Sequence, residues 1–238
     1  MKVLVDFENV PPGIKIQGPI YLTDRIIVTL KPVLQKVAVQ SLEFRLYGGW
    51  DENSTLTRRA QQLGSDLRIH FPRIVNSNHL QPPVPIRLQA ELAQSLEVLP
   101  AKVLHNTVRR NPVRKLFSCI KPTSIGCKTM NCPIDSLADF LTANKCPVAG
   151  CGFTTDAVIK IVEQKLVDTM IVADLIHLAR AGAPTIALVS SDDDMWPGII
   201  SCMTAGAHVV HIQTTGMKTS LPYRTQVKGK YTQLGIEE

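Results

Sequence analysis

Short apolar runs closed by polar or glycine-rich breaks recur along this chain, and between them apolar positions fall at helical spacing. The first run, KVLVDFENV, ends in polar residues and the Pro11-Pro12-Gly13 break, which predicts a buried strand. Residues 21–39, YLTDRIIVTLKPVLQKVAV, predict a helix with Pro32 at a start or a kink. LEFRLYGG, closed by Gly48 and Gly49, predicts a second strand, residues 53–64 a polar helix ending at Gly64, and LRIHFPRIV a further strand. Towards the C-terminus VIKIVEQ alternates like a strand, and LVDTMIVADLIHLARAG has helical spacing up to Gly182. TIALVSS reads as a buried strand, followed by a helix over residues 196–205 and a last strand, HVVHI. No internal repeat is visible.

Strands and helices alternating in this way predict an α/β fold, a mainly parallel sheet with helices on both faces. Residues 76–155 break the alternation. They begin with the turn-rich NSNHLQPPVP, continue through an extended stretch IRLQAELAQSLEVL and a basic segment, and reach a cysteine cluster. The expected organisation is a discontinuous domain, residues 1–75 and 156–238, interrupted by an insertion over residues 76–155. In open parallel sheets, ligands collect beyond the carboxyl ends of the strands.

Composition narrows the class without deciding it. A hydrophobic fraction of 45% with 19% charged residues is that of a folded globular protein, which excludes a disordered chain. The distribution of the +6 net charge carries more than its size. From Val98 to Ile134 there is no acid, while Lys102, Arg109, Arg110, Arg114, Lys115, Lys121 and Lys128 fall there. From Met195 to Ile236 acids are again absent, and Lys218, Arg224, Lys228 and Lys230 make that part basic. A solvated basic face accounts for such a pattern; contact with phosphates accounts for it better. The N-terminal apolar run is too short for a signal peptide, and TMIVADLIHLA, broken by Asp174 and His177, is too short and too polar to span a membrane. These features predict a cytoplasmic protein without a membrane partner, and in that reducing setting the six cysteines argue for metal binding or buried thiols.

The chemistry lies in the acids. Asp6 follows Val3-Leu4-Val5, and Asp192 follows Ile186-Ala187-Leu188-Val189 and two serines, so both leave strands at the carboxyl end. Asp168 falls near the start of the helix after VIKIVEQ and should reach the same edge. Carboxylates held together repel and titrate upward unless a cation sits between them. Mg²⁺ suits such a site because it takes one or two carboxylates while keeping waters and accepting phosphate oxygens. In phosphodiester hydrolysis such an ion activates water and stabilises the leaving oxygen. Taken alone, VSSDDDM also reads as a helix N-terminus rich in capping residues; Asp6 and Asp168 favour a metal site. Asp174, six residues beyond Asp168, is displaced by roughly 9 Å and a 240° turn, which leaves it a place at the border or through water. Asn9 can orient a water or a phosphate, or cap the turn before Pro11.

VLVDFENV, KLVDTMIVADLIHLA and ALVSSDDDMWPGI, in that order, resemble the NYN domain, a branch of the PIN-like ribonucleases. The family pattern is a strand ending D-x-x-N, a K-x-x-D segment with a second Asp six residues on, and a strand ending S-G-D-x-D-F-x-P. It matches Asp6 and Asn9, then Lys165, Asp168 and Asp174, then Ser190, Asp192, Asp194 and Pro197. RLYGGW is similar to the family's second strand. Residues 1–75 and 156–215 carry the resemblance. Ser191 and Asp193 stand where glycines are usual and Met195 where an aromatic is usual, departures that touch substrate fit more than metal binding. The resemblance implies a three-layer PIN-like sandwich and a single-strand-directed endoribonuclease using Mg²⁺ or Mn²⁺, with DNA a further candidate substrate. Asp6, Asp168, Asp192 and Asp194 would hold the metal, and Lys165 would neutralise phosphate. PIN-like proteins often pair, so the resemblance also implies a homo-oligomer.

Four residues separate Cys127 from Cys132, and four separate Cys146 from Cys151, in the turn-rich segments GCKTMNC and CPVAGCG. Two matched pairs predict a tetrahedral Zn²⁺ site that stabilises the insertion; buried free thiols are the plainer reading. Arg109, Arg110, Arg114 and Lys115, just upstream, are candidate nucleic-acid contacts. Two other functions fit parts of the pattern. One is a non-catalytic nucleic-acid-binding or adaptor protein, which gains nothing from a negative pocket. The other is an aspartyl phosphatase, for which Asp6-Phe7-Glu8 lacks the expected second Asp.

Overall fold

A strand that is apolar on both faces needs a cover on each, and the central strands here are of that kind. The computed structural model describes residues 1–37, 39–77, 84–96, 107–112, 133–164, 166–215 and 229–236. The chain divides into two compact units, Met1–Thr107 with Gln164–Glu238, and Val108–Glu163.

In chain order the first unit opens with β1 (Lys2–Asp6), α1 (Pro12–Ile16), α2 (Gly18–Leu34) and β2 (Ser41–Tyr47). A small antiparallel pair, β3 (Asp51–Glu52) and β4 (Thr55–Leu56), leads to α3 (Arg58–His70), β5 (Arg73–Ser77) and β6 (Val84–Leu92). The second unit holds β7 (Val108–Pro112), α4 (Pro133–Ala143), α5 (Thr155–Val158) and most of β8 (Lys160–Gln164), with β7 and β8 adjacent. The first unit resumes with α6 (Val167–Arg180), β9 (Thr185–Val189), α7 (Trp196–Thr204), β10 (His208–Gln213) and β11 (Tyr231–Gly235).

The main sheet has seven strands in the order β11-β10-β9-β1-β2-β6-β5. All neighbours run parallel except β5 and β6. Side chains of the central strands alternate between two apolar layers, as period-two geometry requires. Val3, Val5, Ala187, Val189, Val210 and Ile212 face one layer with Ile14 of α1, Leu22, Ile26 and Leu30 of α2, and Leu63 and Leu67 of α3. Leu4, Ile186, Leu188 and Val209 face the other, with Met170, Ile171 and Leu175 of α6 and Ile199, Cys202 and Met203 of α7. The α/β expectation, a mainly parallel sheet covered on both faces, therefore holds for this unit.

The parallel arrangement has a direct consequence for function. Register pairs Val5 with Val189 and Asp6 with Tyr47, so β1, β2 and β9 end together. Asp6 and the Ser190–Asp194 loop leave the sheet at one edge.

Several boundaries differ from the sequence expectation. The polar helix spans Arg58–His70, because Thr57 caps it by accepting from the Ala60 N–H at 3.2 Å, and Gly64 lies in its interior. LRIH thus belongs to the helix, and the strand begins at Arg73. β6, placed by sequence in the insertion, is a strand of the main sheet, paired to β2 from Ser41–Arg87 to Leu46–Leu92. The expected division at residues 76 and 155 therefore gives way to one at 108 and 163. β8 lies beside β7, not in the seven-stranded sheet. β11 adds a parallel strand beyond HVVHI. Among the described residues no helix is long and apolar enough to cross a membrane.

Candidate metal centre

Asp6 is the last residue of β1, and burial leaves it 1% exposed. Among the described residues, the hydrogen bonds to its carboxylate come from neutral donors. Ser190 Oγ donates to Oδ2 at 3.1 Å, the Asn9 side-chain amide donates to the same oxygen, and the Asn9 backbone N–H reaches Oδ1 at 3.4 Å. Burial raises the Asp6 pKa, and these hydrogen bonds offset part of the rise. Ser190 also accepts from the Asp192 N–H at 3.1 Å, so one hydroxyl ties the exit of β1 to the exit of β9.

The loop after β9 is pinned on its other side. Ser191 Oγ accepts from the backbone N–H groups of Thr214 and Thr215 at 2.7 and 2.9 Å, just past β10. The 3₁₀ turn Asp193–Met195 follows, capped by Asp192 Oδ1, which accepts from the Asp194 N–H at 3.0 Å. Pro197 then sits in the first turn of α7. Asp192 precedes the 3₁₀ turn and Asp194 lies within it.

Asp168 arrives from the third direction, as the second residue of α6. Leu166, just before that helix, has a φ of 70°, a left-handed conformation that costs a branched residue of order 1–3 kcal/mol and sets the entry of the helix. One carboxylate oxygen each of Asp168, Asp192 and Asp194 lie within 4.8 Å of one another. Burial, then the charges of Asp6, Asp192 and Asp194, raise the Asp168 pKa. The charge of Asp6 thus reaches Asp168, although Asp6 is not among the three acids whose oxygens converge, and Asp194 is exposed. Three converging carboxylates are hard oxygen donors in an arrangement that can hold a metal ion.

No protein-family model, curated protein or solved structure matches this chain. The site is therefore read from its own geometry.

Asp174, expected at the border of the metal site, has its carboxylate engaged elsewhere. It is fully buried, accepts from Tyr47 Oη at 2.7 Å, the Leu96 N–H at 2.8 Å and Ser95 Oγ at 3.3 Å, and lies 3.6 Å from an Arg45 guanidinium nitrogen. Arg45 in turn donates to Tyr47 Oη at 3.2 Å, to Glu91 and to the Gln94 carbonyl. Asp174 thus ties α6 to β2 and to the segment after β6, and its role is structural. Asn9 likewise spends its amide on Asp6, so it positions that carboxylate. Sequence reading gave Ser190 a place in a motif but no function; its hydroxyl links Asp6 to the Asp192 backbone.

Of the cationic and cysteine candidates, Lys165, Arg114, Lys115, Cys127 and Cys132 lie outside the described residues. Arg109 and Arg110 lie in β7 of the second unit. Cys146 and Cys151, in that unit, are free thiols at the two ends of a tight loop. The Cys146 N–H donates to the Phe153 carbonyl at 2.9 Å, the Cys151 N–H to the Val148 carbonyl at 3.1 Å, and Gly150 takes a φ of 80°. Both cysteines line one open cleft of about 470 Å³.

Proposed function

We propose that this protein is a metal-dependent endoribonuclease of the PIN-like, NYN type, cutting phosphodiester bonds of single-stranded RNA at the Asp168–Asp192–Asp194 cluster. The observation that carries this reading is the convergence of those three carboxylates within 4.8 Å, beside a buried Asp6 whose charge acts on Asp168. Among the described residues, no cation-bearing side chain is hydrogen-bonded to Asp6. A negative site of this kind facing a polyanion has a purpose only if a cation joins it.

The donor set fits Mg²⁺ or Mn²⁺, since all donors are carboxylate oxygens and the front of the site is open for waters and phosphate. When bound, such an ion lowers the pKa of a water and neutralises charge on the phosphodiester. Asp168, Asp192 and Asp194 would hold it directly. Asp6 adds negative charge and fixes Ser190, which fixes the Asp192 backbone in turn. Pinning the loop through Ser190 and Ser191 preorganises the carboxylates, so little reorganisation accompanies binding. The open edge of a parallel sheet suits an extended strand.

The second unit fits a Zn²⁺-binding module in which Cys146 and Cys151 supply two ligands and Cys127 and Cys132 the other two. The backbone-bonded loop and the shared cleft support the first pair. Purified protein should contain about one zinc, and Cys146→Ser should lose it by elemental analysis; zinc content unchanged by that substitution would remove the module from the account.

The nuclease reading is tested by incubating labelled single-stranded RNA and DNA with the protein in Mg²⁺, Mn²⁺ or EDTA. Cleavage of RNA with either ion and none in EDTA is expected. Binding without cleavage under every condition would leave the adaptor reading in its place.

A further inference from the structure

Two cations stand beside the acidic edge with a carboxylate of the same chain between them. Glu8 lies two residues past Asp6. Arg59 on α3 donates to both of its carboxylate oxygens, at 2.8 and 3.0 Å. Lys15 on α1 lies 3.8 Å from Glu8 Oε2 and donates to the Glu8 carbonyl at 2.7 Å. Both cations also lie over the Phe7 ring, Arg59 at 4.8 Å and Lys15 at 5.6 Å from its centroid. Phe7 is buried against Trp50, with ring centroids 5.5 Å apart, so the floor beneath the cations is fixed. Burial lowers the Lys15 pKa and Arg59 adds to that, while the negative charges of Glu8 and Asp6 offset part of the fall, so Lys15 feels Asp6 as well as Glu8. An Arg and a Lys converging on two oxygens over an aromatic ring form the geometry that receives a phosphate.

We infer that Lys15 and Arg59 form a phosphate-binding subsite for the nucleic-acid strand next to the acidic cluster, and that the Glu8 carboxylate fills it in the free protein. The inference rests on the nuclease reading and adds the backbone contact that reading lacks. Glu8 is two residues from Asp6, a span of at most about 7 Å along the chain, and the charge of Asp6 reaches Asp168, which sets the subsite on the Asp6 side of the carboxylates. Glu8 and Arg59 are partly open to solvent, so an incoming phosphate can exchange with the carboxylate without disturbing the core. With Glu8 in place, one of the two positive charges is offset and the pair attracts free anions less. Displacing it gives the strand two charge-assisted contacts and leaves Glu8 free to swing into water.

The test is binding of labelled single-stranded RNA by the full chain in Ca²⁺, which screens the carboxylates and slows hydrolysis, measured across a salt series. Lys15→Met and Arg59→Met should each weaken binding and reduce the magnitude of the slope of log affinity against log salt, by about 0.7 per lost contact. Glu8→Gln should tighten binding several-fold, an effect that a merely structural ion pair would not give. Circular dichroism identifies any variant that fails to fold, and for such a variant Lys15→Gln or Arg59→Gln takes its place. Affinities and salt slopes equal to wild type in the cation variants, or weaker binding in Glu8→Gln, would overturn the subsite while leaving cleavage at the acidic cluster intact. Absence of any RNA binding by the wild type would overturn both.

Discussion

Two aspartates six residues apart on one helix show how far environment decides a role. Asp168, at the start of α6, is surrounded by other acids; Asp174 meets Tyr47, Leu96 N–H and Arg45. Asp174→Ala would take from the buried Tyr47 hydroxyl its acceptor and from Arg45 one of its partners, with Glu91 and the Gln94 carbonyl remaining, at a cost of about 1–3 kcal/mol, read from denaturant unfolding. A loss below about 1 kcal/mol would show that the network is not needed for the fold. Asp6 and Asp168 respond to pH instead. Both pKa values are raised, chiefly by burial, so the folded protein holds protons at a pH where the unfolded chain has released them. Without a cation these groups therefore weigh against the fold as pH rises through that window, and the penalty disappears on acidification. Mn²⁺ binds the ionised form, so the rise in Tm that it produces should be largest above the raised pKa values and fade as pH falls through them. A Tm increment independent of pH would contradict this placement. At this scale strand position singled out the acids and helix geometry set Asp174 apart at the border of the site, but the network that engages it was not legible, because its partners come from β2 and the segment after β6, far away in the chain.

Elements whose apolar residues face two layers announce themselves in sequence, and β1, β9 and α6 were legible for that reason. β5 and β6 were legible only in part, as a strand begun too early and an extended stretch assigned to the insertion, and β11 was not. β6 alternates buried and exposed positions only at its centre, and β11 is half-buried throughout, so neither shows an uninterrupted apolar run. α3 was misplaced because its mean character is polar and its capping residue, Thr57, follows the short β3–β4 pair. The glycine pair after β2 was legible, with a physical reason now visible. A Cβ on Gly48 would come 2.7 Å from the Trp50 ring, which is buried on Phe7 and donates through Nε1 to the Leu46 carbonyl at 2.8 Å. Gly48→Ala should therefore destabilise the protein by about 1–3 kcal/mol in thermal or denaturant unfolding. Unchanged stability would mean that Trp50 can move aside freely.

Across the whole molecule, the parallel sheet delivers residues distant in sequence to one edge, Asp6 from β1, Asp168 from α6, and Asp192 and Asp194 from the turn after β9. Periodicity suffices to predict that edge, since a parallel strand and its crossover helix return the chain to the same side. It does not predict what lies around it. Glu8, Lys15 and Arg59 carry no local signature, and their relation exists only once β1, α1 and α3 are packed. The second unit shows the opposite limit: its cysteine spacing is plain in sequence, whereas its boundaries follow from β6 joining the main sheet. The central claim is that the Asp168–Asp192–Asp194 cluster performs metal-dependent cleavage of RNA. It is tested most directly by cleavage of single-stranded RNA in Mn²⁺ by wild type, Asp192→Asn and Asp193→Asn. Asp192→Asn should lose more than the about 10–100-fold typical of outer-shell changes, while its neighbour Asp193→Asn retains cleavage. Equal activity in the two variants, or cleavage by the wild type that persists in EDTA, would contradict the account.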